Sequence, residues 1–370
     1  MPDIANIRDM AGEPFTGPAV WRGADLADRE EWVLRLSGRQ IAELRTALRT
    51  ARRRGTTLLR MTAADFPLPT LAGELESAAE ELAAGRGFVL IKGIPVGELS
   101  EADAGAVLRG IGQYLGRPVP QDTEGRTLCH VRDTGGTAAD SAAPGYRSRA
   151  RVPFHTDESD LLGLLCLRPA RSGGDTSLVS AAALHNAVAD LRPDLVERLY
   201  HTHFFDRRDE HPPGERPYLA APLATRYGAV LSMRYDRCRL EAARSLAGVP
   251  ELEPADTELY DLVDALADSL RLRLDLRLEA GDLLLVDNHV VMHARSEFED
   301  CDDPARKRHL LRLWLARHRD TDPPGVTALG LRAMEVRRGI TPRDVIRPRS
   351  LRTTCPGAGC LDRRRHRADG

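Results

Sequence analysis

Three side chains able to hold a metal stand out by type and spacing. His155 and Asp157 lie in the triplet His155-Thr156-Asp157, and a further histidine comes far downstream in Val286-Asp-Asn-His-Val-Val-Met-His-Ala-Arg295. Two imidazoles and one carboxylate can hold a divalent ion on one face and leave other positions open for chemistry. A His-x-Asp triplet alone carries little weight, because eleven histidines give roughly one by chance. His318-Arg-Asp320 is a second such triplet, but only His366 follows it. His155-Thr-Asp157 ends a strand-like stretch, Arg151-Val-Pro-Phe154, and residues i and i+2 of an extended segment project to the same side. For the third ligand both His289 and His293 are available. Asp287-Asn288 is turn chemistry that places His293 at the start of the following strand, so His293 is preferred. Iron and zinc both accept such a set, and other residues must decide between them.

Two more positions bear on that choice. Arg308 follows His293 by 15 residues, in Arg308-His-Leu-Leu-Arg312-Leu-Trp-Leu, and Arg308 and Arg312 share a face if this run is a strand. A guanidinium fork matches a carboxylate in bidentate fashion. Gly173-Gly-Asp-Thr176 offers a hydroxyl at Thr176 that can donate to the same carboxylate.

As a set, Phe154-His-Thr-Asp157, Gly173-Gly-Asp-Thr176, Asp287-Asn288 with His293-Ala-Arg295, and Arg308-x-x-x-Arg312 resemble the taurine dioxygenase family and its clavaminate synthase-like branch. Gly87-Phe-Val-Leu-Ile-Lys-Gly93 is similar to the strand that opens the catalytic domain of those enzymes, and the resemblance runs over about residues 85–318. It implies a double-stranded β-helix (jelly-roll, cupin-like) core and an oxygenase that uses Fe(II), 2-oxoglutarate and O2. His155, Asp157 and His293 would be the iron ligands. Thr176 and Arg308 would hold the far carboxylate of 2-oxoglutarate, with Arg312 nearer the substrate or supporting Arg308. The implied reaction oxidises an unactivated C–H bond of a small amino-acid-like or secondary-metabolite substrate, hydroxylation foremost, and releases succinate and CO2. Halogenases of related design lack the carboxylate that Asp157 supplies, which favours hydroxylation over chlorination. Desaturation, epoxidation and ring formation use the same iron set. His130, Asp206, Arg207, Arg208 and Arg234 could face the pocket, where arginines would suit a substrate carboxylate.

The elements that must position these residues read as mainly β with helical decoration. Helices are expected at Ser37–Arg54, Leu71–Ala84, Leu99–Leu115 with Ser100 as cap, Ala182–Ala189, Pro193–Tyr200 and Asp256–Leu270. Strands are expected at 87–93, 162–167, 176–180, 203–206, 229–235, 274–278, 283–287 and 309–317. Trp21 and Trp32 read as anchors of the first 35 residues on the main body. Thr134–Pro144, rich in glycine and alanine, is a candidate lid before the metal dyad. These segments divide the chain into a helical N-terminal extension, 1–85, packed on the core, an oxygenase domain, 86–320, with a helical insertion at about 237–273, and a partly disordered C-terminal extension, 321–370.

With 370 residues, 42% hydrophobic and 29% charged, the chain has the composition of an ordinary globular protein. A net charge of −2 gives no field that would favour nucleic acid or a membrane surface. Lysine occurs only at 92 and 307, so the arginine runs reflect codon bias more than function. Six scattered cysteines suit reduced thiols in a cytoplasmic protein. Oligomeric state stays open. The rival readings are a zinc-dependent hydrolase, which would have no use for Arg308, and a non-catalytic jelly-roll binding protein.

Overall fold

The computed structural model describes residues 13–135, 147–212, 214–318, 330–333 and 339–342. The expected lid, apart from residues 134 and 135, and everything beyond 342, including Cys355 and Cys360, lie outside the described residues.

Two sheets face each other. The larger has seven strands: β1 (Val33–Arg35), β2 (Phe88–Lys92), β3 (Gly116–Pro118), β4 (Leu128–Val131), β6 (Leu161–Arg168), β9 (Leu283–Asp287) and β11 (His309–Arg317). Their order is β1-β2-β9-β6-β11-β3, with β4 also paired to β11. The smaller runs β8-β7-β10-β5, where β5 is Val152–His155, β7 Thr176–Ser180, β8 Leu274–Leu276 and β10 Val291–Arg295. Pairing is antiparallel except between β1 and β2.

Period-two alternation assigns each strand two destinations. On β9, Leu283 and Leu285 enter an outer core with the helices α1 (Gly38–Arg53), α2 (Leu71–Ala84) and α3 (Glu101–Gly112), while Leu284 and Val286 enter the space between the sheets. On β11, Leu311, Leu313 and Leu315 go outward, and Leu310 and Trp314 go inward. On β10, Met292 and Ala294 meet a third core under α4 (Ala181–Leu191) and α5 (Pro254–Ala267), which turns His293 toward the gap between the sheets. The result is a layered stack of helices, sheet, sheet and helices. Trp21 and Trp32 are buried in the between-sheet core, so the N-terminal segment is anchored as expected.

α1 opens on a capping box between Ser37 and Gln40, and Ser100 caps α3 through the Asp103 N–H. The expected strand 229–235 forms at Val230–Met233, as the second arm of a hairpin whose first arm, Ala224–Tyr227, is not among the expected strands; the turn passes through Gly228 at φ +57. β3 and β4 fall in a stretch without visible periodicity; three or four residues are too few to display one. No described helix is long and apolar enough to cross a membrane.

Candidate active site

β5 and β10 pair in a register that sets His155 directly opposite His293, bringing their ring centroids to 4.3 Å. His293 is the third residue of its strand rather than the first. After His155 the chain leaves the sheet but stays tethered. Thr156 N–H donates to Tyr235 O at 2.8 Å, and Asp157 N–H donates to Asn288 Oδ1 at 3.1 Å. Asn288 Nδ2 in turn donates to Ser159 O, and Asp287 pairs with Arg317 at 2.5 Å. The polar turn before β10 therefore fixes the segment that bears Asp157, a role that reading it as turn chemistry alone misses.

The Asp157 carboxylate lies 3.7 Å (Oδ1) from His155 Nε2 and 3.8 Å (Oδ2) from His293 Nε2. One ligand atom from each of the three residues lies within 4.8 Å of the others. His155 Nδ1 lies 2.8 Å from Pro153 O, which places the proton on Nδ1 and turns a bare Nε2 toward the cluster. Burial, with His155 and Arg312 close by, pushes His293 down to about 3 against the pull of Asp157. Burial opposes ionisation of Asp157, but Arg312, His293, His155 and the Trp314 hydrogen bond outweigh it and hold the carboxyl below its usual range. At neutral pH the cluster thus offers a neutral His293 and an anionic carboxylate, which suits a divalent cation. His289, the other possible third ligand, has Ser232 Oγ at 2.6 Å and Asp160 Oδ1 at 2.8 Å on its two nitrogens, so it is fully engaged elsewhere.

Trp314 and Arg312 project from β11 onto the same carboxylate. Trp314 Nε1 donates to Oδ2 at 2.8 Å, and Arg312 Nη1 stands 3.6 Å from Oδ1. Sequence reasoning missed Trp314, although its even spacing from Arg312 marks the shared face.

Arg308 is 3% exposed. Its guanidinium lies 5.0 Å over Phe298, Nη2 donates to Gly174 O at 3.4 Å, and Nη1 is buried without a partner. Burial pushes its pKa down. A buried cation with an open donor is a poor structural element and a good anion seat. Gly173 and Gly174 both have positive φ, and a Cβ on Gly174 would come within 2.8 Å of Arg308 Nε. These residues line a cleft with Cys166, Asp175 and Leu310. Thr176 shares the inner face of β7 with Leu178 and is buried. Arg312 lies at Asp157.

Of the five further pocket candidates, Arg234 alone reaches this region. It makes a buried two-pronged pair with Glu158, the residue after Asp157, at 2.8 and 2.5 Å. Arg207 pairs with Glu215, Asp206 accepts from the Arg208 N–H, and Arg208 is exposed. His130 joins His309 (2.7 Å) and Glu101 on the outer side of the large sheet. In that second cluster His309 Nδ1 has both the Arg168 guanidinium at 3.0 Å and Glu101 Oε1 at 3.1 Å beside it.

The donors present fit divalent iron, and the open Nη1 of Arg308 fits an organic carboxylate. Residues 51–314 match the family described as taurine catabolism dioxygenase TauD, TfdA family. The chain is 31% identical over 313 residues to FR-33289 synthase of Streptomyces rubellomurinus, covering 83% of this chain and 91% of that one. The crystal structure of asparagine oxygenase with Fe(II), 2S,3S-3-hydroxyasparagine and succinate is similar in fold, with a TM-score of 0.61 at 19% identity over 77% of this chain and 94% of that one. The non-heme iron oxygenase OrfP with Fe and alpha-ketoglutaric acid gives 0.59 at 18% identity, over 83% and 99%.

Proposed function

The chain belongs to the taurine catabolism dioxygenase TauD, TfdA family, and on that premise we propose how this Fe(II)/2-oxoglutarate-dependent oxygenase is built and what it acts on. His155, Asp157 and His293 hold the iron, and Thr176 with Arg308 holds the far carboxylate of 2-oxoglutarate. The two facing sheets form a double-stranded β-helix whose between-sheet space is the reaction chamber. Bound iron, with 2-oxoglutarate and O2, supplies the oxidising power, and succinate and CO2 are its co-products. The residues of the chain orient, exclude water and fix charge. His155 keeps Nε2 bare because its one N–H, on Nδ1, donates to the Pro153 carbonyl, and Arg308 offers Nη1 to an anion.

The substrate we propose is a small amino acid or a compound derived from one, and the reaction is hydroxylation. Structural neighbours are crystallised with hydroxyasparagine or hydroxy-L-Arg, which supports that class. The observation that carries the reading is the convergence of two imidazoles and a carboxylate with a separately buried, unsatisfied arginine. Family membership leaves the zinc-hydrolase and non-catalytic readings without support.

An anaerobic titration with Fe(II) and then 2-oxoglutarate tests it, followed by the visible charge-transfer band of the chelate. The parent should develop the band, and His155→Ala should lose metal and band together. A panel of free amino acids and amino-acid derivatives, none of which increases 2-oxoglutarate consumption, would overturn the substrate class while leaving the site intact.

A further inference from the structure

A carboxylate can bind a divalent ion through one oxygen or both. The choice matters here. Two imidazoles and a single oxygen occupy one face, whereas a second oxygen takes a position that the reaction needs for another ligand. Nothing in a His-x-Asp pattern settles which occurs, because both oxygens of Asp157 lie near histidine nitrogens, at 3.7 and 3.8 Å.

Trp314 distinguishes the two oxygens. Its indole N–H, a donor only, points at Oδ2 from 2.8 Å. The ring is 3% exposed within the between-sheet core and has Arg312 over it at 4.6 Å. Arg312 is itself locked, since its Nε donates to Gln121 Oε1 at 2.7 Å while Gln121 Nε2 donates back to Arg312 O at 2.8 Å. The indole therefore has a fixed address. Arg312 Nη1 stands 3.6 Å from Oδ1 and sets positive charge beside it.

We infer that Trp314 is a positioning residue: its N–H retains Oδ2 and leaves Oδ1 as the one oxygen that Asp157 offers to the ion. The inference rests on the metal-ligand assignment of His155, Asp157 and His293. A hydrogen bond draws electron density from Oδ2 and occupies one of its two lone pairs, which makes Oδ2 the poorer metal ligand of the two oxygens. The carboxylate stays anionic, stays put and remains monodentate.

Two variants remove the N–H. Trp314→Phe keeps the apolar bulk, and 3-benzothienylalanine placed at 314 by codon suppression keeps the shape with sulfur in place of N–H. Circular dichroism and thermal melting establish that each is folded. The readouts are anaerobic Fe(II) affinity, the visible band with 2-oxoglutarate, and the electron paramagnetic resonance signal given by nitric oxide, a gas that needs one further open position. The expected result is Fe(II) affinity and band within about threefold of the parent and nitric oxide affinity lowered by about tenfold or more. Parent-like nitric oxide binding in the benzothienyl variant would overturn the inference, as would equal loss of iron and nitric oxide by both folded variants. A parent protein without the band would sink the metal-ligand assignment itself and this inference with it.

Discussion

Arg308 holds a full charge almost wholly out of water, with one donor unanswered. An unpaired buried cation costs stability, so removing it should stabilise the empty protein even as it disables the site. Arg308→Met is expected to raise the melting temperature of the apoprotein while weakening 2-oxoglutarate binding by about tenfold to a hundredfold, the loss of a charge-assisted contact of roughly 1.5–3 kcal/mol. At a 2-oxoglutarate concentration that saturates the parent, the rise in melting temperature over Fe(II) alone should be smaller in the variant than in the parent. A variant that melts lower and still binds the cosubstrate would refute both halves. At this scale the sequence was most legible where chemistry and geometry coincide. His155, Asp157 and His293 stand out by type and spacing and do come together, but the i, i+2 rule is not what places Asp157, which lies past the end of β5 and is held by Asn288. Trp314 was not legible because an indole in an apolar run reads as core, and its hydrogen bond crosses between strands far apart in the chain.

Elements set how closely those residues can approach. The turn before β7 must let the Gly174 backbone lie against Arg308, with φ +74 and no room for a Cβ. Gly174→Ala would combine backbone strain of about 1–2 kcal/mol with displacement of the guanidinium. The expected outcome is weaker 2-oxoglutarate binding with Fe(II) binding retained, read from the same anaerobic titration; unchanged cosubstrate affinity would show that the close approach has no bearing on the site. Long elements were legible for ordinary reasons. β9 is apolar on both faces because helices cover one side and the second sheet the other, and α1 and α3 announce themselves by their caps. Short elements were not. β3 and β4 exist because β11 offers them a ladder, a tertiary cause invisible in seven residues.

The whole molecule packs distant segments against the elements that carry the site. Leu331 is fully buried beside the hairpin at 224–233, and Arg332 lies 4.0 Å from Asp287. Gly339 N–H donates to Glu158 O, next to Asp157, and Ile340 N–H to Pro120 O. Deleting 330–370 should therefore lower the melting temperature by several degrees, since two buried aliphatic side chains contribute about 1.5–3 kcal/mol each. A truncated chain that melts like the parent would contradict that packing. Acid should act globally too. Burial, reinforced by Arg226, pushes His185 down to about 4, and burial with His130 and Arg168 does the same to His309 against the pull of Glu101. Unfolded imidazoles take up protons below about 6.5, so the stability held above that pH is lost as pH falls from 6.5 toward 4. Melting temperatures flat across that window would argue against neutral buried imidazoles. One further consequence comes from the exposures around the metal set: the His155 side chain is 19% exposed, while those of Asp157 and His293 are 7% and 8%. Among the described residues the metal set is most open beside His155, so a guest entering there should present one of two prochiral hydrogens, and the product should be one diastereomer, resolvable as a single peak on a chiral column.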